Sequence, residues 1–126
     1  MIGAALLLAA APVAGHWLTA EGKAVVEIAR CGPAMCGRIV RVLKPRPGGP
    51  AIDINNPVVA HRNRPMEGLT ILTGLQPGAD RWRGQVYDPE SGRTYRAELS
   101  RAGRNLTVKG CWGPFCRSQA WTAIAR

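Results

Sequence analysis

From Gly15 onward no long run of this chain sets apolar side chains at helical spacing, while several short runs alternate between apolar and polar residues. Thr94-Tyr95-Arg96-Ala97-Glu98-Leu99 puts Tyr95, Ala97 and Leu99 on one face, and Asn105-Leu106-Thr107-Val108-Lys109 repeats the alternation. A period of two is that of a half-buried strand. Weaker versions run over 23–30, 37–43, 69–72, 81–87 and 117–124, and 15–18 opens the set. The punctuation agrees. Asp88-Pro89-Glu90-Ser91-Gly92 has proline where φ near −65° is wanted and glycine where a positive φ closes a hairpin, and Ala102-Gly103, Pro77-Gly78 and Cys31-Gly32-Pro33 serve likewise. Such closely spaced hairpins predict an all-β protein: a small antiparallel up-and-down barrel of about eight strands, the arrangement that leaves fewest open edges, with a sandwich as the alternative.

One stretch does not fit that rhythm. From Lys44 through Pro65 there are five prolines, an adjacent glycine pair and almost no apolar periodicity, so a long irregular loop is expected near residues 44–66. In a compact domain, loops beyond about 12–15 residues are usually either functional or disordered.

Residues 1–14 carry no charge and end in small residues, the apolar-core and cleavage-site pattern of a secretory signal. The run is shorter than the roughly 20 apolar residues that a membrane span needs. The expectation is a signal peptide over 1–14, cleaved after Ala11 or Ala14, and a single barrel domain over 15–126 with no transmembrane span left. A periplasmic or secreted location follows. Four cysteines suit that oxidising compartment. Both C-x4-C turns hold bulky residues (Met35; Trp112 and Phe115) instead of a tight zinc knuckle, so no metal is expected. With 23–30 as the second strand, the two cysteine turns fall at opposite ends of an up-and-down barrel. Bridged Cα atoms must approach within about 7 Å. The pairing is therefore Cys31 with Cys36 and Cys111 with Cys116.

Seventeen basic residues against eight acidic ones give a net charge of +9, which draws anions at long range. The arginines are dispersed and form no block of like charge. An anionic small molecule or envelope polymer is the leading partner class, a periplasmic protein the next, and nucleic acid the least favoured.

Several blocks then become familiar together: Gly37-Arg38-Ile39-Val40, Asp53-x-x-Asn56-Pro57, Arg64-Pro65-x-x-Gly68-Leu69, Trp82-x-Gly84-x-x-Tyr87-Asp88-Pro89-x-Ser91-Gly92-x-x-Tyr95, Val108-x-Gly110-Cys111 and Ser118-Gln119-x-Trp121-Thr122. In this order they resemble the bacterial domain-of-unknown-function 2147 family, from Gly15 to Thr122. The resemblance implies a small exported bacterial protein and brings no reaction with it. Gly15-His16-Trp17 also looks like the Gly-x-Trp that opens lipocalin-type barrels. That likeness implies an indole plugging one barrel end beneath a late basic side chain, Arg117 or Arg126.

Catalytic signatures are sparse. His16 and His61 have no ligand-spaced partners, and no nucleophile elbow, Walker loop or dinucleotide fingerprint occurs. Bridged cysteines supply no thiolate. The reading leans away from an enzyme and expects no cofactor; an enzyme of unknown reaction would need Asp53 and Asp88 to converge. The candidate site is the long loop. Structurally, Asp53, Asn55 and Asn56 rigidify turns by side-chain to backbone bonds while Arg64 pairs with Asp53 or Asp88. Functionally, Arg62 and Arg64 grip a carboxylate or phosphate at the barrel rim, Asn55 and Asn56 add donors and acceptors, and Trp82 and Tyr87 stand behind. The leading expectation is an exported binding or accessory module for a small or extended anionic cell-envelope ligand. The alternative is a periplasmic protein-interaction or scaffold domain using the Trp112/Phe115 tip.

Overall fold

The computed structural model describes residues 10–45 and 51–125. Eight strands follow one another: β1 (Gly15–Leu18), β2 (Ala24–Cys31), β3 (Ala34–Val42), β4 (Thr70–Pro77), β5 (Trp82–Asp88), β6 (Arg93–Ala102), β7 (Asn105–Trp112) and β8 (Phe115–Ile124). Each pairs antiparallel with the next, and β8 returns to β1 to close the barrel. The up-and-down barrel expected from the alternation is thus the fold. β4 is longer than the expected 69–72, because its register with β5 shifts between Thr73 and Gln76. A shift of this kind breaks the two-residue rhythm without ending the strand. Residues 1–9 of the expected signal peptide and 46–50 of the expected loop lie outside the described residues.

The interior is filled. Trp17, Leu72, Leu75, Leu99, Leu106 and Trp121 are all buried and belong to one core cluster. Inward-facing glycines make room for them: a methyl at Gly37 would lie 2.7 Å from Leu72 Cδ1, and one at Gly84 would lie 2.9 Å from Leu75 Cδ2. Eight strands enclose a space that side chains alone can occupy.

Both disulfides are local, Cys31–Cys36 and Cys111–Cys116, as the strand count required. Each turn contains Gly-Pro, but shifted by one residue relative to the cysteines. In the first, Cys31 stands opposite Ala34 and bridges diagonally; in the second, Cys111 stands opposite Cys116. One residue of turn placement decides between the two arrangements.

One barrel end is plugged by the chain that precedes β1. Val13 is fully buried, and its carbonyl accepts the Trp17 indole N–H at 2.9 Å. Trp82 Nε1 donates to the Ala11 carbonyl at 2.9 Å, and Arg101 Nη1 to that of Pro12 at 3.2 Å. The cation over Trp17 is Arg101, 5.0 Å from the ring centroid. It is not Arg117, which sits near the start of β8 at the opposite end; Arg126 lies outside the described residues. β6 ends where Trp17 is, so its last turn supplies the charge.

Candidate functional site: the mouth and the long loop

The opposite end, where β3 leaves and β4 returns, carries the loop. Its anchor is Asp53, fully buried. Tyr87 Oη donates to one carboxylate oxygen at 2.8 Å and Asn56 Nδ2 to the other at 2.7 Å. Burial, and then the hydrogen bond to Asp53, hold the Tyr87 phenol above its ordinary range. Asn55 Nδ2 donates to the carbonyls of Pro89 and Glu90 in the β5–β6 turn. The Asn55 carbonyl lies so close to Gly92 that a side chain there would collide with it. Asn56 Oδ1 caps the Val58 N–H, and Arg62 Nε donates to the Asn56 carbonyl at 2.8 Å.

These contacts strap the loop to the outer wall. Val86 packs toward the interior glycine Gly110, and Tyr87 follows it in the strand, so Tyr87 points outward against Asp53. Ile71 and Leu72 are consecutive and both buried, which requires cover on both faces of β4.

Of the expected site residues, the structure brings together Asp53, Asn55, Asn56, Arg62 and Tyr87. Their polar atoms are largely engaged with one another and with backbone. Arg64 contributes its carbonyl to the Asp53 N–H at 2.9 Å, while its side chain is exposed and pairs with neither Asp53 nor Asp88. Trp82 is at the plugged end, because it opens β5 whereas Tyr87 nearly closes it. Asp88 Oδ1 caps the Glu90 N–H, so the two aspartates do not converge. No group of three or more metal-ligating side chains occurs among the described residues.

The mouth holds a second set. In the β7–β8 register Leu106 faces Trp121, Val108 faces Gln119, Gly110 faces Arg117 and Trp112 faces Phe115. Leu106 and Trp121 are core residues, so strand alternation places Gln119, Arg117, Trp112 and Phe115 on the same inward-turned side. All four are exposed, Trp112 at 63% and Phe115 at 76%. Arg93, in phase with the inward Tyr95 and Ala97, lies over the Trp112 ring at 5.0 Å. Neither Arg93 nor Arg117 forms an ion pair among the described residues. Asp88 stands opposite Arg93 in the β5–β6 register, but its Oδ1 accepts from the Glu90 N–H; on the outer wall Glu98 meets Arg81, Arg83 and Lys109, and the Arg81 hydrogen bond first of all holds its carboxyl below the usual range. The sequence reading named Trp112 and Phe115 as a contact tip but set Arg117 over Trp17 and passed over Arg93 and Gln119, yet counting back by twos from Trp121 reaches Gln119, Arg117 and Phe115. Elsewhere, hollows of about 220 Å³ by Gly74 and Arg83 and about 300 Å³ by Val25 and Arg41 are open dents in the outer wall.

A family model described as an uncharacterized protein conserved in bacteria (DUF2147) matches residues 15–123. The chain belongs to this family. Among solved structures, protein HP1028 from the human pathogen Helicobacter pylori, described as belonging to the lipocalin family, is similar at TM-score 0.75 and 21% identity, over 90% of this chain and 84% of that one. The likeness shows the fold: this DUF2147 member is a lipocalin-like barrel. Comparison with curated proteins gives no match.

Proposed function

We propose that this DUF2147 protein is an exported binding module for a small anionic amphiphile, taken at the barrel mouth by Arg93 and Arg117 with Trp112 as the flat apolar platform. The observation that carries the reading is the exposure of two inward-turned arginines without carboxylate partners, one of them stacked on an exposed indole. Guanidinium groups match carboxylate or phosphate oxygens bidentately. Trp112 and Phe115 offer the apolar surface that an alkyl or aromatic portion needs. The filled interior below Tyr95 and Val86 keeps the ligand at the rim instead of deep in the barrel. Two disulfides, and the lack among the described residues of a helix long and apolar enough to cross a membrane, accord with an extracytoplasmic location.

The test is a thermal-shift titration with dodecyl phosphate, dodecanoate and dodecyltrimethylammonium. Ligand at about 100 times its Kd adds about 2.7 kcal/mol of stability. The two anions are expected to raise Tm and the cation to leave it unchanged. Arg93→Ala with Arg117→Ala should abolish the shift. Loss on Arg62→Ala with Arg64→Ala instead would return the site to the long loop, the reading that Arg64's exposure favours.

A further inference from the structure

The barrel closes over only part of its height. β1 has four residues and pairs with β8 only at Thr122, Ala123 and Ile124, whereas β8 begins at Phe115. Over Phe115–Trp121 the sole strand neighbour among the described residues is β7. The 3-10 turn Ala20–Gly22 lies beside β8, but the backbone bonds around it, Thr19 N–H to Ala24 and Gly22 N–H to Thr19, are internal. Among the described residues a stretch of strand edge is therefore unpaired in an otherwise closed barrel.

The phase of its hydrogen bonds follows from the hairpin. Gly113 and Pro114 form a two-residue turn, with Gly113 at φ 59°, so Trp112 and Phe115 are the closing pair that exchanges hydrogen bonds. The next pair, Cys111 and Cys116, is then non-hydrogen-bonded. Its Cα separation of 4.1 Å agrees, being nearer the ~4.5 Å of such pairs than the ~5.5 Å of bonded ones. Alternation carries this along β8: the N–H and C=O of Cys116, Ser118 and Ala120 point away from β7, toward the open edge. Among the described residues a single charge, Arg117, guards that edge. The segment has no proline, its register with β7 runs without a bulge, and Phe115 through Ala120 are all exposed. Edge strands with unpaired backbone groups and so little protection are templates for strand addition.

We infer that the β8 edge over Phe115–Ala120 is a docking site for an extended, acid-bearing segment of a partner protein, which adds to the barrel as a further strand. An extended backbone is the complement of alternating donors and acceptors, and the exposed side chains of Phe115 and Arg117 would select those of the partner. Charge decides against a second copy of this chain. The edge carries Arg117 and no acid, a two-fold pairing of β8 edges near Ser118 sets the two Arg117 side chains together, and each copy brings a net charge of +9. Glutamate or aspartate facing Arg117 turns the same field into attraction. This site is built on backbone groups and shares only Phe115 and Arg117 with the mouth, whose Arg93 and Trp112 it leaves in place.

The experiment is backbone amide exchange by NMR with a capped six-residue peptide alternating valine and glutamate, next to the same peptide N-methylated at alternate positions and a valine–lysine version. The acidic peptide is expected to slow exchange at Cys116, Ser118 and Ala120, and each control to bind about tenfold more weakly, the loss expected for one or two hydrogen bonds or a charge reversal. Ser118→Pro removes an edge donor without touching the β7 ladder and should abolish protection while the dodecyl phosphate response of the mouth survives. Should that variant misfold, the N-methylated peptide carries the same test on the native protein. Absence of protection, equal binding of the N-methylated peptide, or a concentration-dependent dimer protecting those three amides would overturn the inference.

Discussion

The two ends of this barrel are built from the same strand pattern and differ in what the connecting chain does there. At the plugged end the segment before β1 lays Val13 into the core and offers carbonyls to Trp17, Trp82 and Arg101, so both indole N–H groups are bonded and that of Trp17 lies under cover. At the mouth the long loop passes down the outer wall, and the inward-turned positions of β6, β7 and β8 are left to Arg93, Trp112, Phe115 and Arg117. Arginine lies over tryptophan at both ends, at 5.0 Å in each case, but over Trp17 the ring is 1% exposed and over Trp112 it is 63% exposed. The same pairing acts as a seal where chain covers it and, under the proposed function, as a recognition surface where it is left exposed. Cation–π contacts gain strength as they are desolvated, from about 0.5–1 kcal/mol at exposed sites to about 2 kcal/mol when dry.

Mutation breaks this contrast most sharply at the plug. Trp17→Ala removes a fully buried indole and is expected to cost about 3–5 kcal/mol in chemical denaturation. A loss under about 1 kcal/mol would mean that the plugged end is no more central to stability than the mouth. The same end bears on processing: a mature chain beginning at Pro12 keeps Val13, whereas one beginning at Gly15 forfeits about 1.5–3 kcal/mol of apolar burial. On the proposed export, N-terminal sequencing of the processed chain is expected to read Pro12, at the loss of the Ala11 carbonyl to which Trp82 donates.

Next in size is the strap. Asp53→Ala orphans the Tyr87 hydroxyl and the Asn56 amide and should cost about 2–3 kcal/mol, since unpaired buried polar groups carry their desolvation penalty. Tyr87→Phe should cost less and change the pH response. The Tyr87 phenol is raised in the folded state, so its contribution is fully present below the ordinary tyrosine value near 10 and is lost as pH rises through the folded value. Alkaline denaturation of the native chain is expected to steepen above about pH 10, and Tyr87→Phe to flatten that part of the curve. Identical slopes in the two proteins would separate the strap from alkaline stability.

The smallest effect on stability belongs to the mouth. Arg93→Ala with Arg117→Ala should move the unfolding free energy by no more than about 0.5 kcal/mol, as exposed substitutions do, while the dodecyl phosphate response disappears. A large stability loss would make the mouth a second plug.

How far the chain could be read in advance depended on how local the determinant was. Strand order, the turns and both disulfides follow from neighbours in sequence, so they were legible. Trp82 and Tyr87 both looked like the backing of one site, but five residues of β-strand at about 3.3 Å each put them at opposite ends of the barrel. Val13 read as the tail of an export signal, since apolar composition is the same whether a valine is to be cleaved off or buried. Asp53 and Asn56 stood out correctly as a cluster. Their partner Tyr87 was named with them, while the direction of the loop, down the wall and not across the opening, was not visible.

By itself the amino-acid order determined an eight-stranded meander and its cysteine staples, because alternation, turn chemistry and ring closure are set within a few residues. Only the tertiary structure decided which end is sealed and which is open. That outcome depends on β1 being shorter than β8 and on where residues 10–14 and 51–68 come to rest. These relations join segments far apart in the chain, and no local period encodes them.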